Sequence, residues 1–198
     1  METGLSGLVG RGLSAACGFR VFGPLRVAGI ASRASHLHLA EGFAWMGSDA
    51  ALIALSVATV LEIVAYYVPW LDNFLDSVAT PAAVVAGTLI TASMITDTEP
   101  FLKWTLAAIA GGGLAGVVQV GTVVTRGAST ATTGGLANPV VATAELGSSV
   151  AASLLSLVVP LVVVITVVGV VGFGSVWYVR RQRQSPAPPR IAPAQTKS

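Results

Sequence analysis

The sequence predicts an all-α fold: a polytopic transmembrane helix bundle with broken or re-entrant helices and a weak internal repeat. Three observations predict it. Hydrophobic residues make up 54% of the 198-residue chain and charged residues 10%, against about 25% charged in a soluble domain; mean hydropathy is +0.78. So few polar side chains cannot cover a soluble surface, and lipid must be the solvent for much of the chain. Apolar stretches of bilayer-spanning length recur along it. Two of the less uniform stretches, RGLSAACGFRVFGP (11–24) and RGASTATTGGLANP (126–139), align without a gap: Arg11, Gly12, Ser14, Ala16 and Pro24 fall on Arg126, Gly127, Ser129, Ala131 and Pro139.

In chain order, METGLSGLVGRGLS does not read as a cleavable signal, because Glu2 opens it and Arg11 cuts its apolar run. Residues 4–32 form a broken element, with Gly23-Pro24 marking a new half-helix. ALIALSVATVLEIVAYYV (51–68) is the clearest span, roughly 27 Å long at 1.5 Å per residue, with Trp45 and Trp70 at interfacial positions. WLDNFLDSVA reads as a polar hinge, after which Thr80-Pro81 opens a second apolar stretch over 81–95. Residues 101–125 form a small-residue helix in which Gly112 and Gly116 make a GxxxG pair suited to close helix packing. Residues 126–146 form the second broken element, with Asn138-Pro139 as cap and first turn. The apolar run 147–179 exceeds one crossing, so it should tilt, kink at Pro160 or project beyond the bilayer. These five to six elements make one membrane domain, 1–179, followed by a basic, Pro-rich, disordered tail, 180–198.

The tail carries Arg180, Arg181, Arg183, Arg190 and Lys197. By the positive-inside rule it is cytoplasmic, in an inner (plasma) membrane. It is too short to imply nucleic-acid binding. The one cysteine, Cys17, excludes an internal disulfide framework and a Cys-based zinc cage.

SAACGFRVFGPL, GFAWMGSDAALIALSVATVLEI, VPWLDNFLD and STATTGGLANPVV resemble the uncharacterised bacterial membrane family known as domain of unknown function 4126. The likeness covers about residues 8–178. STATTGGLANP and PWLDNFLD are its most specific parts. Family members often carry Asp-Lys before the Ile/Val-Pro-Trp; here Tyr66 and Tyr67 stand there, and a role for that charge pair does not carry over. The resemblance implies a membrane protein and supplies no biochemical activity.

Charged residues within apolar elements are the functional candidates by default. Arg20 is always protonated, so it must pair, line water or bind an anion. Glu62 is expected near mid-membrane, either paired with Arg20 or carrying a proton. Asp72 and Asp76, four apart, would share a helix face and offer a cation site or an interfacial cap. Ser129, Thr132, Thr133, Gly134, Gly135 and Asn138 precede a half-helix N-terminus of the kind that binds anions in transporters; Ser/Thr-mediated packing is the plainer reading. His36, His38 and Glu41 lack a fourth ligand, so no metal is expected. No nucleophile elbow, P-loop, dinucleotide fingerprint or HExxH motif occurs; neither catalysis nor a cofactor is expected. The first functional reading is a small transporter or channel-like protein for an anionic solute or lipid head group. The second is a scaffold or subunit that docks a membrane partner, or a second copy of itself, through the Gly-rich helix.

Overall fold

A computed structural model describes residues 2–159; residues 69, 70, 72 and 73 and the first four of these are described by backbone alone. The expected kink at Pro160, the rest of the run to 179 and the tail lie outside the described residues. Those described are all helical in architecture, without strands. The helices are α1 (Glu2–Cys17), α2 (Phe22–Arg33), α3 (Asp49–Ala65), α4 (Pro69–Met94), α5 (Pro100–Leu106), α6 (Gly113–Thr133) and α7 (Asn138–Val159), with a 3-10 segment at Glu41–Gly47 and a π turn at Ala107–Gly112 joining α5 to α6.

Helix ends follow local chemistry. The Ser48 side chain caps α3 by accepting from the Ala51 N–H at 3.2 Å. The Glu99 carboxylate caps α5, accepting from the Leu102 N–H at 3.1 Å, with Pro100 in the first position. At the end of α6, Gly134 (φ +65°) and Gly135 (φ +87°) take left-handed conformations that residues with a Cβ adopt at a cost. The chain turns there, and α7 starts at once. Arg126 stands eight residues before Gly134 and Glu145 eight after Ala137, and the two side chains bond. Only an antiparallel hairpin brings such positions together.

Several boundaries differ from expectation. The WLDNFLD segment is no hinge: α4 runs unbroken from Pro69 through Pro81 to Met94, as apolar surroundings and neighbouring helices allow for an internal proline. The helix begun at 100 continues to Thr133. Residues 126–146 are therefore not one element but the facing ends of two helices, and α7 begins at Asn138 rather than 147. α3 stops at Ala65, and the 3-10 segment meets it at 64°. Among the described residues, three helical stretches are long and apolar enough to cross a membrane: Phe74–Met94, Pro100–Thr133 and Asn138–Val159. The bent pair Glu41–Gly47 and Asp49–Ala65 adds a fourth if it forms one span.

The two breaks keep step. α1 ends at Cys17 and α2 begins at Phe22; α6 ends at Thr133 and α7 begins at Asn138, both 116 residues on. The aligned arginines differ in setting: Arg11 is exposed and Arg126 buried.

Packing is tightest around α4, which lies against α1, the π turn and α6. The contact uses small residues, as expected where lipid removes the hydrophobic drive between helices. A Cβ on Gly87 would sit 2.6 Å from Ala115 Cβ and from Gly111 O; one on Gly112 would sit 2.5 Å from Thr88 Oγ1. Gly116 faces Val84. The GxxxG face is thus covered by α4 of the same chain. Ser14 of α1 donates to Gly87 O at 2.9 Å and meets Thr91 Oγ1 at 2.9 Å. Large apolar side chains point outward instead, among them Ile53, Val57, Val60 and Leu61 of α3 and Val117 and Val124 of α6.

Candidate functional site

The interior is where the charge lies. Arg20, Glu62, Arg126 and Glu145 are buried, as are Gln119, Thr122, Ser149 and Ser153. Their placement follows from the breaks. Arg20 sits in the non-helical link between α1 and α2. Glu62 occupies the last turn of α3, not its middle, because the helix ends at Ala65. Tyr66 is the α3 C-cap. Arg126 and Glu145 lie roughly 12 Å along their helices from the hairpin turn. Asp76 lies about 10 Å into α4.

Arg126 and Glu145 form the tightest pair. Arg126 Nε donates to Glu145 Oε1 at 3.0 Å, and Arg126 Nη2 donates to Glu145 Oε2. This two-pronged geometry is the strong form of the guanidinium–carboxylate bond. Asp76 Oδ1 approaches Arg126 Nε at 3.8 Å. Arg20 stands further off: its Nη2 is 3.6 Å from Glu145 Oε2 and donates to Ala142 O at 2.8 Å. Both guanidiniums lie against one ring, with Arg20 Cζ 3.9 Å and Arg126 Cζ 4.1 Å from the Tyr66 centroid. The π face offsets part of the desolvation of two buried cations. The adjacent Tyr67 hydroxyl reaches Thr143 Oγ1 at 2.8 Å, so both tyrosines tie the end of α3 to α7 or to the cluster.

Glu62 has another role. Its Oε1 accepts from the Val21 N–H at 2.7 Å and its Oε2 from the Phe22 N–H at 3.2 Å. It supplies the cap that α2 lacks in its own sequence, at the helix end where negative charge is favoured. α2 starts at Phe22, so Pro24 lies inside its first turn and Gly23 is not its cap.

Arg20 and Glu62 line one cavity of about 320 Å³ between α2, α3 and α7. Arg26, exposed, stands on its wall, with Ser149 and Ser153 from α7; Val150 and Leu154 border it and are also exposed. Arg20 is 3% exposed, yet its Nε and Nη1 have no hydrogen-bond partner among the described residues. Each such buried donor costs about 1–3 kcal/mol.

The other expected residues disperse. Ser129 and Asn138 are buried, and the Asn138 amide donates to Thr130 Oγ1 at 3.1 Å. Thr132, Thr133 and Gly134 are exposed and Gly135 half-buried, so they do not converge on an interior site. The Thr133 hydroxyl donates to Ser129 O at 2.8 Å and accepts from the Ala137 N–H at 3.1 Å, stitching the hairpin turn. Asp76 joins the arginine cluster; the side chain of Asp72 is not among those described. His36, His38 and Glu41 are exposed.

Three members of the cluster escaped the sequence reading: Arg126, Glu145 and Tyr66. A signal was present. Glu145, Ser149 and Ser153 recur every four residues, a polar stripe on an apolar helix.

This architecture defines an all-α protein with outward-facing apolar helices of membrane-spanning length around a buried ion-pair cluster. The chain belongs to the family described as domain of unknown function (DUF4126), whose model matches residues 8–181. No curated protein and no solved structure matches it.

Proposed function

We propose that the protein is an integral membrane protein that binds, and as a small transporter or channel-like protein handles, an anionic solute or lipid head group in the cavity beside Arg20. One observation carries the reading: Arg20 lines a cavity, and its guanidinium keeps two buried nitrogens without hydrogen-bond partners among the described residues. Glu145 is committed to Arg126 by two hydrogen bonds, which leaves Arg20 the less neutralised of the two arginines. Within the cavity wall, Arg20 and Arg26 face the single carboxylate of Glu62, two cations to one anion. Glu62, with both oxygens bonded to the α2 N-terminus, serves as counter-charge and fixes the cavity wall. The inner membrane and a cytoplasmic basic tail complete the reading. The matched breaks at 17–22 and 133–138 support descent of the two halves from a repeated helix–break–helix unit.

The test is binding to the purified full-length protein in detergent. Inorganic phosphate, glycerol phosphate and an anionic phospholipid are titrated separately and followed by thermal stability. At least one should raise the midpoint of the native protein and have little effect on Arg20→Gln. Equal shifts in both proteins, or none with any anion, would refute the reading.

In the alternative, scaffold reading, a partner would dock on another face of the Gly-rich helix than Gly112 and Gly116, which pack on α4; Gly113 and Gly121 meet open space.

A further inference from the structure

We infer that the cavity's ligand is an amphiphile, a phosphate-bearing lipid that enters sideways from the bilayer between α2 and α7; this rests on the anion-binding reading above. The cavity is chemically two-sided. Its polar lining includes Arg20, whose buried Nε and Nη1 have no hydrogen-bond partner among the described residues, and Glu62 on the α2 N-terminus. Along its α7 side run Leu146, Val150 and Leu154, spaced four apart and so stacked on one face. Val150 is 50% and Leu154 53% exposed. The apolar wall of the cavity therefore continues directly into the lipid-facing surface of α7. A small hydrophilic anion would gain nothing from that strip and would meet it as a barrier. An acyl chain lies along it without leaving an apolar environment, while its head group reaches the guanidinium.

Arg26 fits the same occupant. It is exposed on the cavity wall about one turn into α2 and has no ion pair among the described residues. A lipid phosphate carried between Arg26 and Arg20 exchanges an exposed cation for a buried one, so the head group is never without a counter-charge.

The experiment compares lipid with soluble phosphate on the same protein. Full-length protein is reconstituted in nanodiscs of zwitterionic lipid, and a fluorescent phosphatidic acid or water-soluble glycerol phosphate is titrated in. The variants are Arg20→Gln and the double change Val150→Ser, Leu154→Ser. The native protein should bind phosphatidic acid at least about tenfold more tightly than glycerol phosphate, a margin worth 1.4 kcal/mol. Arg20→Gln should lose that lipid binding by a similar factor. The serine pair, on an exposed face, should keep its thermal midpoint while weakening lipid binding severalfold. If glycerol phosphate binds as well as the lipid, and the serine pair changes neither, the amphiphile inference fails and the anion site stands. If neither ligand binds in an Arg20-dependent way, both fail. Equal binding of a zwitterionic lipid probe and phosphatidic acid also overturns both.

Discussion

Cutting the Arg126–Glu145 bond tests whether the buried cluster is one electrostatic unit. In Glu145→Leu, Arg126 loses two hydrogen bonds, and Arg20 loses the carboxylate 3.6 Å away. Two guanidiniums then remain against one Tyr66 ring, with Asp76 3.8 Å from Arg126. Removing one partner of a buried pair costs about 3–5 kcal/mol. Arg126→Leu should cost a similar amount, since it strands Glu145 with only the longer contact to Arg20. If the two penalties were independent they would sum to about 6–10 kcal/mol, the range of a whole domain's stability. Coupled neighbours depart from additivity by about 0.5–3 kcal/mol. The geometry here, two-pronged and with both side chains at most 7% exposed, sits at the upper end. The Arg126→Leu, Glu145→Leu protein should therefore recover about 2 kcal/mol or more relative to the sum. Reversible unfolding in mixed micelles measures all four proteins. Penalties that add within about 0.5 kcal/mol, the scatter for non-contacting sites, would refute the unit.

The helix crossing on α4 gives a second prediction. Gly111→Ala drives a Cβ into Thr91 Oγ1 and Gly87 O and should destabilise by about 1–3 kcal/mol, whereas Gly113→Ala meets open space and should be neutral or slightly stabilising in the same unfolding assay. At the arginine cluster, Tyr66→Phe keeps the π face and should cost little, while Tyr66→Leu should lose about 2 kcal/mol or more from two desolvated cation–π contacts; equal losses would show that the ring face is not what holds the arginines. Cysteine labelling of Ser198→Cys with an impermeant reagent should fail in intact cells and succeed after permeabilisation, as a cytoplasmic tail requires.

Composition and periodicity alone determined the class of this protein. With 54% hydrophobic and 10% charged residues the chain has few polar side chains to cover a soluble surface, and runs such as 81–95 and 101–125 suit helices that cross lipid, where every backbone group must be bonded internally. The small residues that set helix contacts were also legible, since Gly112 and Gly116 needed only their spacing to mark a packing face. What sequence could not decide was partnership. Arg20 and Glu62 were visible as buried charges because each interrupts an apolar run, yet Arg20 bonds Glu145 and Ala142 O across more than 120 residues. Glu62 caps a helix 40 residues earlier. Pro81 looked like a boundary because local propensity forbids it mid-helix; α4 runs through it nonetheless, and Asp76 on the same helix reaches Arg126. The Gly134-Gly135 pair looked like a site because flexible backbone suits a ligand. In the structure the pair lies where the chain reverses, so that two residues nineteen apart in sequence, Arg126 and Glu145, meet inside the bundle. Local rules fix elements, because backbone hydrogen bonds and solvent are local matters. Charges find their counter-ions only when the helices pack, because in a low-dielectric interior the nearest opposite charge wins wherever the chain has placed it.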